Sequence, residues 1–154
     1  MASLTREQQF TARAEITTVM HRYASLAREN ADWDAMAALF APDGVYRLPN
    51  GVSVDPKRMV EVVQGNEAKY IRHHVTTVDI TFVSVLEAYS EAFYLAVTDR
   101  ASPDHWGMWR DVFRWHPRER VWLIQKREIV VDGAAPGGWY ADVYGMPGKT
   151  NAGG

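Results

Sequence analysis

The sequence predicts an α+β fold, a curved antiparallel or mixed sheet wrapped around a long N-terminal helix so that a cone-shaped pocket is left between them. Three observations lead there. Apolar residues recur with a helical period early in the chain; four long segments rich in β-branched and aromatic residues fill the second half; and no repeat or low-complexity run separates them.

From about Thr5 to Asn30, the residues Ile16, Val19, Met20, Tyr23, Leu26 and Ala27 share one helical face, with Tyr23 in mid-stripe. His21 and Arg28 fall on the opposite, solvated side, and Glu29 sits just off the edge of the stripe. Asp32 is placed to cap a second short helix reaching Phe40, with Met36, Leu39 and Phe40 buried, before Pro42-Asp43-Gly44 breaks it. Val45 to Leu48 reads as a short strand with Tyr46 and Leu48 on one face, closed by the turn Pro49-Asn50-Gly51. Asp55-Pro56 opens a third helix whose buried side is Met59, Val60 and Val63, stopping near Gly65.

Ile71 to Phe82 is the segment of greatest chemical interest, because it carries two of the five histidines into a strand. Strict alternation puts Ile71, His73, Val75 and Thr77 on one face and His74, Thr76, Val78, Ile80 and Phe82 on the other, so one imidazole must point inward. Histidine titrates near neutral pH, which suits it to acid/base work on a rigid strand. Ala88 to Thr98, Trp106 to Trp115 and Val121 to Val131 read as further strands of an antiparallel meander. His105, with Asp104, reads as an exposed loop pair between two of them. The tail from Asp132 onward is glycine-rich, yet Trp139, Tyr140 and Tyr144 predict that it docks before fraying after Gly145.

Composition bounds the function. A chain of 154 residues forms one domain, here with its core at about 10–131 and a tail at 132–154. A net charge of −2 supplies no basic field, so neither nucleic acid nor an anionic membrane surface is a predicted partner. With no cysteine, thiol nucleophiles and thiolate metal sites are excluded, and no His-x-x-x-His or His/carboxylate triad predicts a metal. The polar N-terminus and the lack of a long apolar run predict a soluble, cytoplasmic protein. Six tryptophans, seven tyrosines and five phenylalanines suit an apolar pocket or a subunit interface.

Asp32-Trp33-Asp34-Ala35-Met36-Ala37-Ala38-Leu39-Phe40-Ala41-Pro42-Asp43-Gly44-Val45-Tyr46, followed by Arg72-His73-His74-Val75-Thr76, resembles the SnoaL-like branch of the nuclear transport factor two-like superfamily. The resemblance implies a cystatin-like α+β barrel. That superfamily hosts dehydratases, isomerases, cyclases, epoxide hydrolases, dehydrohalogenases and non-enzymatic binders. The His73 motif most resembles scytalone dehydratase and the dehydrochlorinase relatives, which pair a strand histidine with a carboxylate after the first helix and assemble as trimers. The carboxylate position is Glu29 here, one methylene longer than the usual aspartate, and Arg28 stands where scytalone dehydratase has a tyrosine. Leu48 stands where that enzyme has its second phenol, with Tyr46 on the same face; Arg127 resembles an arginine of the dehydrochlorinase branch; and the second histidine expected one strand later has no counterpart.

The resulting expectation is a cofactor-independent, dehydratase-like lyase acting on a small hydrophobic substrate, aromatic or polyketide-like. His73 would act as base or acid with an apparent pKa of roughly 6 to 7, Glu29 as its partner, and Tyr23 and Tyr46 as carbonyl polarisers. Leu48, Arg127 and Met59 are the predicted substrate contacts. The alternatives are a ketosteroid-isomerase-like or cyclase activity, or a non-catalytic binding module. A hydrogen bond between Glu29 and His73 would favour catalysis, and an exposed Glu29 the binder. Assembly is predicted to be a homotrimer, else a dimer, through the sheet face carrying Trp106, Trp109 and Trp115 or their neighbours.

Overall fold

The computed structural model describes residues 3–148. Helix α1 spans Arg6–Leu26 and is opened by a capping box: Gln8 N–H donates to Thr5 Oγ1, and Thr5 N–H to the Gln8 side chain. Of the predicted stripe, Ile16, Met20 and Tyr23 are buried, joined by Ala12, while Val19, Leu26 and Ala27 are partly buried against the same core. Asp32 caps α2, Trp33–Ala37, by accepting from Ala35 N–H at 2.9 Å. This helix ends earlier than predicted. Ile124 N–H takes the Leu39 carbonyl, and strand β1, Phe40–Arg47, starts immediately. Pro42-Asp43-Gly44 therefore lies within β1, at a register shift where a Cβ on Gly44 would sit 2.8 Å from Ala41 O.

The strand β2, Ser53–Val54, then a 3₁₀ turn at Pro56–Arg58 and the short helix α3, Val60–Val63, lead into β3, Ile71–Phe82. Strands β4, Glu87–Thr98, β5, His105–His116, and β6, Val121–Ala134, complete the meander. The six-stranded sheet has the order β2-β1-β6-β5-β4-β3. All neighbours are antiparallel except β1 with β6, and the sheet stays open, with β2 and β3 at its edges. It is thus an α+β fold of the predicted kind, with an open sheet. Helix α1 crosses the concave face, pinned where Arg13 Nη1 donates to Ile80 O at 2.8 Å.

Strand β3 departs from strict alternation. Its pairing with β4 slips between Val75 and Thr77, so one extra residue is accommodated at Thr76. Ile71, His73 and Val75 face the helix above the slip, and Val78, Ile80 and Phe82 face it below, all on the concave side. The bulge lets one strand serve the cavity at one end and the core at the other.

The tail docks as predicted up to α4, Trp139–Tyr144, where Trp139 Nε1 donates to Asn66 O and Tyr144 OH to Val62 O. Most of the segment predicted to fray lies outside the described residues. The three tryptophans proposed for an interface do not share a face. Trp109 is 2% exposed in the core and Trp115 packs on Trp122, whereas Trp106 is 39% exposed on the convex side. Among the described residues, no helix is long and apolar enough to cross a membrane.

Candidate active site

A cavity of about 660 Å³ opens between the C-terminal end of α1, the concave face of the sheet, α3 and α4. Tyr23, Tyr46, His73, Tyr94, His105 and Trp109 line its inner part, and Leu48 and Met59 stand along one side. Sheet register explains the two imidazoles. His73 is paired with Ala96, and Ala96 with His105, so all three side chains project from one row of the concave face. Ala96 is small and fully buried, and the imidazoles converge above it with centroids 6.2 Å apart. Tyr94 and Trp109, stacked at 5.2 Å, form the adjoining wall.

The His73 Nδ1 lies 3.1 Å from Ala27 O. A carbonyl only accepts, so Nδ1 carries the proton and Nε2 is the basic nitrogen. This contact arises because α1 ends at Leu26 and its free terminal carbonyls meet β3. Burial, and then the neighbouring His105, push the His73 pKa down to about 4, against the stabilising pull of the Ala27 carbonyl. The predicted value near neutrality is corrected accordingly: the imidazole is neutral across the physiological range, with Nε2 unprotonated and a weaker base than a free histidine.

His105 is not in an exposed loop. It is the first residue of β5 and 5% exposed, and its Nδ1 donates to Asp104 Oδ1 at 2.8 Å. A histidine held by a carboxylate on one nitrogen keeps the other for chemistry. Burial lowers its pKa, with Asp104 opposing. Burial acts to raise the Asp104 pKa, but hydrogen bonds from His105, Tyr140 N–H, Thr98 and Trp139 N–H outweigh it and keep the carboxylate ionised.

Glu29 does not hold His73. Its carboxylate takes both Nη atoms of Arg72, at 2.6 and 2.9 Å, and the Ile71 N–H at 3.3 Å, and these bonds, the Arg72 pair foremost, lower its pKa to about 2. The physical reason is the strand's alternation. Arg72 points away from His73, and its cation attracts the carboxylate to the rim. Half-buried Glu29 lines the mouth of the cavity rather than its interior.

Tyr23 and Tyr46 meet at the inner end, OH to OH at 3.2 Å, both with pKa values raised by burial. Arg127 lies behind them. It is fully buried, donates from Nε and Nη2 to the two Asp111 oxygens at 2.8 and 2.6 Å, and stacks between Tyr23 and Trp109 at 4.2 and 4.1 Å. It therefore supports the floor and does not line the cavity, because Asp111, directly opposite on β5, engages its guanidinium first. Among the described residues no group of three metal-ligating side chains comes together.

The site residues that sequence reasoning passed over are Asp104, His105, Tyr94, Trp109 and the α4 aromatics. Asp104 next to His105, at the head of an aromatic strand, was the available signal. The pairing that carries His105 to His73 runs through two hairpins and a bulge.

The chain matches a known group in sequence and in fold. Residues 8–128 match the SnoaL-like domain family. The chain belongs to that family. No protein of curated function matches the sequence. Similar solved structures include a candidate scytalone dehydratase from Novosphingobium aromaticivorans, 20% identical with a TM-score of 0.71, covering 87% of this chain and 95% of that one. The hexachlorocyclohexane dehydrochlorinase LinA type 3 from Novosphingobium barchaimii is 12% identical with a TM-score of 0.71, over 83% of this chain and 91% of that one. A cystatin-like protein of unknown function from Nostoc punctiforme is 20% identical with a TM-score of 0.70, over 88% and 98% of the two chains. At these identities the likeness establishes a shared fold.

Proposed function

We propose that this SnoaL-like protein is a cofactor-independent lyase of the dehydratase type, acting on a small hydrophobic substrate of aromatic or polyketide-like character. The observation that carries the reading is the convergence of two imidazoles, each with its Nδ1–H held by an acceptor, in an otherwise aromatic cavity. In this reading His73 Nε2 removes a proton from a carbon beside a carbonyl, and hydroxyls of the Tyr23–Tyr46 pair donate to the carbonyl oxygen as negative charge builds. The proton taken by His73 passes to the departing hydroxyl through Nε2 of His105, whose transient charge Asp104 stabilises, so that C–H and C–O bonds break, a C=C bond forms and water leaves. Leu48 and Met59 contribute apolar surface, and the LinA and scytalone dehydratase likenesses support an elimination.

The test is His73→Ala, assayed against a panel of β-hydroxy ketones and phenolic analogues. The expected loss in kcat/KM is about 10²–10⁴-fold with the near-ultraviolet circular dichroism unchanged, and retention of more than about a tenth of the activity refutes the assignment. A second reading, a non-catalytic small-molecule binder of the same fold, draws support from Glu29, which is bonded to Arg72 and not to His73. Saturable binding of such ligands with no turnover by the wild-type protein would favour it.

We also propose a homotrimer, or failing that a dimer, formed through the convex face of the sheet. Trp106, Phe93 and Tyr89 are exposed there, in place of the Trp109 and Trp115 contacts. Light scattering that returns a monomer at micromolar concentration overturns this assembly.

A further inference from the structure

Asp104 has more partners than a histidine-orienting carboxylate needs. It is fully buried and accepts four hydrogen bonds. Oδ1 accepts from His105 Nδ1 at 2.8 Å and Tyr140 N–H at 3.1 Å; Oδ2 accepts from Thr98 Oγ1 at 2.9 Å and Trp139 N–H at 2.6 Å. Two of the four donors are the first two backbone amides of α4. Its own backbone adds two more ties, donating from N–H to Ala96 O and accepting at O from Ala135 N–H, each at 2.7 Å. One residue thus joins β4, the start of β5 and the C-terminal segment.

What α4 brings to that junction is a wall of the cavity. The Tyr140 ring lies on His105 at a centroid distance of 4.9 Å, and Trp139 and Tyr144 reach across to the carbonyls of Asn66 and Val62 beside α3. The fit at the junction is close. Gly138 has an ordinary φ of −73°, so its backbone conformation does not require glycine. A Cβ there would stand 2.7 Å from Asp104 Oδ2 and 3.3 Å from its Cγ, so the carboxylate itself excludes a side chain.

We infer that Asp104 is a positioning residue through which the seating of α4 against the cavity sets the orientation and tautomer of the His105 imidazole. A carboxylate offers about four acceptor sites, and here all are filled. If the two amides withdraw, a buried anion is left half-satisfied and must turn or take up water, and the geometry that holds His105 Nδ1–H goes with it. The coupling is reciprocal, so loss of the His105 bond loosens α4 by the same amount. The second imidazole is in its working form only when the wall beside it is closed.

The inference concerns the resting protein and needs no substrate, so it stands apart from the reaction proposed above. The measurement is the ¹⁵N spectrum of the histidine rings, with hydrogen exchange at the Trp139 and Tyr140 amides read from the same full-length samples. His73, held by Ala27 O, is the internal reference. Gly138→Ala leaves Asp104 and His105 chemically intact. It is expected to raise amide exchange at 139 and 140 on the order of tenfold or more and to move His105 away from the pure Nδ1–H form. Trp139→Phe, which removes the bond to Asn66 O and trims the ring that packs on His105 and Tyr144, is expected to move both readouts together by less. It decides the matter if the alanine variant does not fold. Asp142→Asn breaks the exposed pair with Arg100 on the outer side of α4 and is expected to move neither. Increased exchange with an unchanged His105 tautomer overturns the inference, as does a wild-type pattern in both readouts of the glycine and tryptophan variants.

Discussion

His73 and His105 reach the same cavity from strands two apart, but they are held by different kinds of acceptor. His73 rests on a neutral carbonyl left free at the end of α1, and His105 on an ionised carboxylate with three further donors of its own. A carbonyl fixes a tautomer without offering a counter-ion, so a proton on His73 has no anion to stabilise it, and burial pushes its pKa down to about 4. Asp104 offers His105 the counter-ion that His73 lacks, and partly offsets the same burial. Both imidazoles therefore rest neutral, but a proton that reaches His105 meets a counter-ion and one that reaches His73 does not, so charge gained at His73 is the less stabilised of the two.

The largest effect expected from testing this difference is at His105. His105→Gln keeps a polar side chain but not the proton-carrying ring, and the expected loss in kcat/KM is about 10²-fold, measured at saturating and at low substrate. A variant with near wild-type turnover would leave His105 a structural partner of Asp104 and break the comparison.

The next effect is on stability. The folded-state pKa of His73 is depressed from 6.5 to about 4, so between those values the unfolded chain binds more protons than the folded one. Stability contributed by neutral His73 is intact above the unfolded pKa of 6.5 and is lost as the pH falls toward 4, by on the order of 3 kcal/mol over the whole window. His105, also lowered, acts in the same direction. Urea unfolding between about pH 7.5 and pH 4.5 measures it, and a flat midpoint over that range would contradict a buried neutral pair. The acid limb of the rate profile should likewise lie well below pH 6.

The smallest effect is expected at Glu29. Its carboxylate bonds to Arg72 at the rim and has no contact with His73, so Glu29→Gln should change kcat/KM by less than about tenfold. A loss rivalling that of His73→Ala would mean that Glu29 leaves Arg72 and reaches the imidazole during turnover, restoring the pairing that the family resemblance implied.

Those outcomes separate what is local from what is not. The period of α1, the capping residue Asp32, the β-rich segments and the aromatic tail are properties of neighbouring residues, and each is legible in order along the chain. That one of His73 and His74 turns inward is legible too, because alternation needs only one strand; that it is His73 came from the resemblance of its motif. The bulge at Thr76 escapes such a reading, since it exists only relative to β4, and it turns Val78, Ile80 and Phe82 to the side that strict alternation denies them.

By itself, then, the sequence determined an α+β domain with a long amphipathic helix, a meander of strands and a strand that turns one of two adjacent histidines inward, because those follow from spacing over a few residues. Tertiary structure alone decided the partners. Glu29 belongs to Arg72, Arg127 to Asp111, and His105 stands opposite His73 with Asp104 and α4 behind it. Each of these choices is made by whichever donor or acceptor the register and the helix ends bring within about 3 Å, and no spacing along the chain encodes that distance.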